Sequence, residues 1–133
     1  MKRGTGITSA CGVCGRKSID DLVAMTGRVA EGPPLSSGVL AASTAALQRH
    51  QPIFELTGGV HAAAVLTEAG VVLASAEDVG RHNAADKALG ALLRAGCLPA
   101  RRGPGEPAVL VVSGRASFEL VQKAAMAGLG ALA

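Results

Sequence analysis

A chain of 133 residues is about one domain's worth and long enough to enclose a hydrophobic core. It is 49% apolar but only 2% aromatic, with no Trp or Tyr, so that core has to be built from Ala, Val and Leu, and its 18 glycines point to many tight loops. The net charge of +3 suits an anionic ligand, yet no Lys/Arg run interleaved with aromatic residues is present, which argues against a nucleic-acid groove.

Three cysteines are too few, and odd in number, for a disulfide framework, and they point to a reducing compartment. No apolar run approaches the roughly 20 residues of a membrane span. The start Met1-Lys2-Arg3-Gly4 is not followed by a signal-peptide apolar stretch. The expectation is a cytoplasmic protein without membrane association.

In chain order, the first feature is Cys11-Gly12-Val13-Cys14, inside the stretch from Thr8 to Leu22. Glycines at 12 and 15 describe a mobile, exposed loop more readily than a packed position. Such a thiol pair can hold half a metal site, form a reversible disulfide or carry a sulfur atom. A closed zinc site needs four ligands, but there is no second pair, Cys97 is alone, and His50, His61 and His82 lack His-x(3–5)-His spacing. No strand precedes Cys11, as a thioredoxin-like centre would require. A nucleophilic sulfur carrier remains, with Arg16 and Lys17 placed to favour the thiolate; an ordinary solvated charge pair is the competing reading of those two.

Ser18 is positioned to cap a short turn or helix start, and residues 26–37 read as Gly/Pro-punctuated loop. A helix opens at Leu35-Ser36-Ser37, with a weakly amphipathic pattern of Leu40, Ser43, Ala46 and Leu47 that ends before Pro52. The Gly58-Gly59 pair marks a bend. Val60 to Leu66 and Val71 to Ser75 are β-favouring runs separated by Thr67-Glu68-Ala69-Gly70, which is hairpin spacing. The second run leads into the polar stretch Glu77 to Asn83, then a helix with apolar Ala85, Ala88, Leu89, Leu92 and Leu93, stopped at Gly96.

After a Pro/Gly/Arg loop from Leu98 to Pro107, Ala108 to Val112 is continuously apolar, the pattern of a strand buried on both faces. Ser113-Gly114-Arg115-Ala116-Ser117 leads to a helix from about Phe118 to Ala127, and a further strand would begin at Gly130 to Ala133. The expected division is a Cys-x-x-Cys loop region, 1–36, and an α/β domain with a mixed sheet and helices on its faces, 37–133, which is expected to be partial. Twice a strand passes through a short polar loop into a helix N-terminus, at Glu77 to Asn83 and at Ser113 to Ser117, and each loop carries one arginine, Arg81 or Arg115. If both strands share one sheet, the two helix starts face one crevice suited to phosphates. Helix-start acids at Glu77 and Asp78 and a surface role for Arg115 are the plainer readings.

The strings CGVCG (11–15), FELTGGVHAAA (54–64), EDVGRHNAADK (77–87) and SGRASFELVQKAAMAG (113–128), in this order, resemble the FdhD family of sulfur-carrier proteins needed to activate formate dehydrogenases. The resemblance implies a cytidine-deaminase-like α/β fold and a sulfurtransferase. It would take persulfide sulfur from a cysteine desulfurase and pass it to the molybdenum (or tungsten) bis-guanine-dinucleotide cofactor of formate dehydrogenase, of which guanine nucleotide is a partial mimic. Cys11 would carry the persulfide, with Cys14 its helper or protective disulfide partner.

In a deaminase-like fold the two helix starts hold zinc ligands. Here they would be Arg81-His82-Asn83 and Ser113-Gly114-Arg115, and with no cysteine on the second the crevice is free for an anion. Arg81, His82, Asn83, Asp86, Lys87 and Arg115 would hold the cofactor, with Glu77, Asp78, Gly80, Ser113 and Gly114 in the same loops. Thr57, Gly58, Gly59 and His61 would shape the wall. The resemblance also implies a homodimer. A non-catalytic cofactor chaperone and a Cys-ligated zinc protein are the alternatives.

Overall fold

The computed structural model describes Ala24 and residues 28–133. An irregular stretch runs to Ser36, which caps helix α1 (Ser37–Gln48): its backbone is extended and its Oγ accepts the Gly38 N–H at 3.2 Å. Ser43 lies on the buried face beside Ala46 and Leu47, and its hydroxyl is satisfied by donating to the Leu40 carbonyl at 2.7 Å. A six-residue helix that the apolar pattern does not announce follows, α2 (Pro52–Thr57), opened by Pro52 and closed by Gly58 at φ 62°. None of its residues is buried.

Strands β1 (His61–Thr67) and β2 (Val72–Asp78) form the expected antiparallel hairpin. Thr67 organises its turn: Oγ1 accepts the amides of Ala69 and Val71 at 3.2 and 3.1 Å, and Gly70 takes φ 83°. Strand β2 runs three residues further than the β-favouring composition suggests, so Glu77 and Asp78 end a strand instead of starting a loop. Helix α3 (Arg81–Arg94) begins after Val79 and Gly80. Strand β3 (Pro107–Val112) is buried along its whole length, helix α4 (Phe118–Met126) starts behind Ser117, and β4 (Ala131–Leu132) lies parallel to β3.

The sheet order is β2-β1-β3-β4, with β1 antiparallel to both neighbours. Side-chain alternation along β1 and β3 sorts the core into two layers. Ala62, Ala64, Leu66, Val109 and Val111 meet Ala46 and Leu47 of α1. Ala63, Val65, Leu110 and Val112 meet Ala84, Ala85, Ala88, Leu89 and Leu92 of α3, with Leu120 and Ala124 of α4. The small alanines let α3 lie close to the sheet, which is how a core without Trp or Tyr fills its space. Leu93 corrects the expected stripe: it is 61% exposed, because it sits a further 100° round the helix from Leu92, and Ala84 takes the buried place.

One consequence positions the site. Because β2 and β3 both run against β1, they run parallel to each other, so α3 and α4 leave the sheet from the same edge, where β1 also begins.

Candidate functional site

At that edge three short segments converge: Gly58 to Val60 before β1, Val79-Gly80 before α3, and Ser113 to Ser117 before α4. Pairing brings them together, since His61 lies opposite Asp78 and the Ser113 Oγ accepts the Ala62 N–H at 2.8 Å. The Ser113 hydroxyl is also 3.4 Å from His61 Nδ1. Gly114 lies against two side chains: a Cβ placed there would stand 3.1 Å from Arg81 Cδ and 3.4 Å from His61 Nδ1. A side chain at 114 would push Arg81 aside by a few tenths of an ångström and touch His61 at ordinary contact distance.

The two helix starts are capped differently. Ser117 caps α4 through its Oγ, which accepts from the Leu120 amide at 3.4 Å and is 2.9 Å from His82 Nε2. The α3 start has Gly80 as N-cap, no side-chain cap and no acidic residue in its first turn, so the Asp78 carboxylate just ahead of it is the nearest negative charge to its leading amides on the same segment. Arg81, the first residue of that turn, has a buried Nε without a hydrogen-bond partner among the described residues. A helix start without a side-chain cap, beside an unpartnered guanidinium N–H, is a place where an anionic oxygen lowers the free energy of both.

The expected site residues therefore divide. Arg81, His82, His61, Ser113 and Gly114 are brought together, and Arg115 stands exposed beside them. Asp78 braces the loop: it accepts from Gly80 N at 2.9 Å and Asn83 Nδ2 at 3.1 Å and pairs with Lys87 Nζ at 2.5 Å. The Lys87 hydrogen bond, then those from Gly80 and Asn83, lower the Asp78 pKa to about 2. Lys87 also donates to the Glu77 carbonyl at 3.2 Å. The Glu77 carboxylate is turned the other way and accepts the Ile53 and Phe54 amides at 2.9 and 2.8 Å, capping α2. Asp86 binds Lys123 of α4 at 2.6 and 2.8 Å, a tie between the two helices. Thr57 closes its own turn, donating to Ile53 O at 2.7 Å and accepting from Gly59 N at 3.3 Å. Cys11 and Cys14 lie outside the described residues, as does Ser18.

Sequence reasoning missed a cleft of about 750 Å³ that adjoins this crevice and shares His61 and Ser113 with it. Helices α1 and α2 supply Thr44, Gln48, Phe54 and Glu55, and Gln51 between them completes the wall. The signal available in the sequence was the pair of polar residues, Gln48 and Gln51, just before Pro52. Ser117 and Glu119 were also missed as neighbours of His82, Glu119 Oε2 lying 3.6 Å from its Nε2.

Fold and site together define a mixed-sheet α/β domain in which two helix starts meet at one end of the sheet, around His61, Arg81 and Gly114. Residues 1–133 match the FdhD/NarQ family, and the chain belongs to it. It is 51% identical over 133 residues to the sulfur carrier protein FdhD of Anaeromyxobacter sp. (strain K), covering 99% of this chain and 46% of that protein. It is 47% identical over 137 residues to the sulfur carrier protein FdhD of Streptomyces avermitilis, covering 100% of this chain and 46% of that one. Among solved structures, a crystal structure described as a putative formate dehydrogenase accessory protein from Desulfotalea psychrophila superposes with a TM-score of 0.61 at 26% identity, over 82% of this chain and 44% of that one. The chain thus spans less than half the length of the relatives it matches.

Proposed function

We propose that this chain is the sulfur-handling part of a sulfurtransferase that activates formate dehydrogenase. The Cys11 thiolate attacks the terminal sulfur of a persulfide on a cysteine desulfurase; a new S–S bond forms at Cys11, the donor's S–S bond breaks, and the donor cysteine leaves as thiolate. The Cys14 thiolate then attacks Cys11 Sγ: a Cys11–Cys14 S–S bond forms, the bond to the terminal sulfur breaks, and that sulfur leaves at the sulfide level to the molybdenum or tungsten bis-guanine-dinucleotide cofactor, which is the substrate here. Cys14 stands ready to resolve or protect Cys11.

The observation that carries this reading is the meeting of the α3 and α4 starts around Arg81, His82 and Gly114, with Arg81 Nε buried and unpartnered among the described residues. On this reading the architecture is cytidine-deaminase-like, with the crevice between the helix starts holding pyrophosphate oxygens in place of zinc. Arg81, the α3 amides and Arg115 bind the phosphates, while Asp78, Asn83 and Lys87 keep the loop in shape. The protein acts in the cytoplasm as a homodimer, with a cysteine desulfurase and formate dehydrogenase as partners and with neither nucleic acid nor membrane. No helix among the described residues is long and apolar enough to cross a membrane.

The test is to incubate the protein with a desulfurase and cysteine and weigh the Cys11 peptide, which should gain one sulfur. In cells, Cys11→Ala should leave formate dehydrogenase inactive. Full maturation with that variant would remove the sulfur relay and leave a cofactor chaperone in its place. One zinc per chain held by Cys11 and Cys14 would overturn both.

A further inference from the structure

Helix α2 forms one wall of the cleft, yet little keeps it there. None of its six residues is buried, and its large apolar side chains, Ile53, Phe54 and Leu56, all stand exposed, Leu56 at 87%. Six residues are about half of what an isolated helix needs to persist in water, so the turn depends on what it is tied to. The tie is the Glu77 carboxylate of β2, which accepts the Ile53 and Phe54 amides at 2.9 and 2.8 Å, while Gln51 supplies no side-chain cap. Once those two bonds break, the helix loses its docking and its fold together.

The chain after the helix suits such a release. Gly58 turns at φ 62°, which accounts for its lack of a side chain. Gly59 has no such reason: its φ lies outside the left-handed region, and a Cβ there would meet nothing nearer than the Thr57 carbonyl at 3.8 Å. An alanine would fit, so what glycine adds at 59 is freedom of the released chain. At the other end Gln51, buried at 7% exposure, and Pro52 fix the root of the segment. Between root and slack joint, Phe54, Glu55, Gly58 and Gly59 face Thr44, Leu47 and Gln48 of α1 across the cleft. We infer that α2 is an order–disorder lid: residues 52–59 fold over the cleft while Glu77 holds the two amides, and melt away to open that wall when it lets go. The crevice stays intact as the lid opens, because the Glu77 carbonyl accepts from Lys87 Nζ at 3.2 Å and Asp78 is tied to Gly80, Asn83 and Lys87. The lid works in this way whatever molecule occupies the cleft.

Hydrogen exchange and native-state proteolysis of the full chain test it. The Ile53 and Phe54 amides are held by Glu77 and the Gly58 amide by the Phe54 carbonyl at 2.7 Å, so in a melting lid all three open together. They should share one opening constant, far larger than that of the β1 and β3 amides. Glu77→Gln should speed all three by one common factor, and Gly59→Ala, which restricts only the open chain, should slow all three about two- to fivefold. Chymotrypsin should cut the native protein after Phe54 or Leu56, at rates that follow the same two factors. Both positions are exposed, so the rest of the fold should survive the cut, which circular dichroism checks. If Gly58 keeps its protection while Ile53 and Phe54 lose theirs in Glu77→Gln, the helix swings without melting and the inference is overturned. Cleavage at those bonds that occurs only with global unfolding in denaturant overturns it too, as does exchange that Gly59→Ala leaves unchanged or accelerates.

Discussion

Replacing Glu77 by Gln should loosen α2 while leaving the rest of the domain folded. This helix buries no side chain and its N-cap, Gln51, gives it no side-chain bond, so the Glu77 carboxylate reaching across from β2 is its main anchor. Glutamine keeps the size but presents one acceptor oxygen, and its NH2 group then points at the second amide. Hydrogen bonds to a charged acceptor are worth about 1.5–3 kcal/mol when sheltered, and exposed helix caps about 0.5–2 kcal/mol. For two bonds at a partly solvated site, the cost of local opening is roughly 1–3 kcal/mol. Exchange of the Ile53, Phe54 and Gly58 amides with deuterium should therefore accelerate about 5- to 150-fold. The melting temperature should hardly move, because no core contact is lost. Unchanged exchange in Glu77→Gln would refute the capping role and return Glu77 to the list of direct ligands.

Asp78, with its pKa held at about 2, contributes stability that is fully present above the unfolded value near 4 and is lost as pH falls through 2, so the Gly80 and Asn83 resonances should titrate with a midpoint near 2; a midpoint near 4 would mean the Lys87, Gly80 and Asn83 contacts do not form in solution. Gly128 sits at φ 78° with the Ala100 backbone where a Cβ would stand at 2.9 Å, so Gly128→Ala should cost roughly 2–4 kcal/mol in denaturant unfolding, and a loss under about 1 kcal/mol would contradict the geometry. Leu110 is wholly buried in the central strand, and Leu110→Ala should cost about 3–5 kcal/mol by the same assay. Asp86→Asn should cost under about 1 kcal/mol, because its pairing with Lys123 is exposed and salt-screened; a larger loss would show that the tie between α3 and α4 matters to the fold.

Much of this was readable in the residues. The periodicity of Ala85, Ala88, Leu89 and Leu92 marked a helix, the run from Ala108 to Val112 marked a central strand, and Gly70 marked the hairpin turn. Helix α2 was not readable, because six residues with no buried face carry no apolar period, and what holds them is a carboxylate 23 and 24 residues away in sequence. The same distance hid the duty of Glu77. Its place in a polar cluster beside Arg81 and His82 suggested a ligand, but adjacent residues of a strand point to opposite faces, and Asp78 and Glu77 serve different loops.

By itself, then, the sequence determined the element types and order apart from α2, the family, and the two places where a strand hands over to a helix start, because each depends on neighbours within a few turns of chain. Only the tertiary structure decided that those two helix starts share one edge, that Gly114 admits Arg81 and His61 against it, and that Gln51, Phe54 and Glu55 wall a cleft beside them. Those facts follow from β1 pairing between β2 and β3, an arrangement of segments up to 52 residues apart that no local pattern encodes.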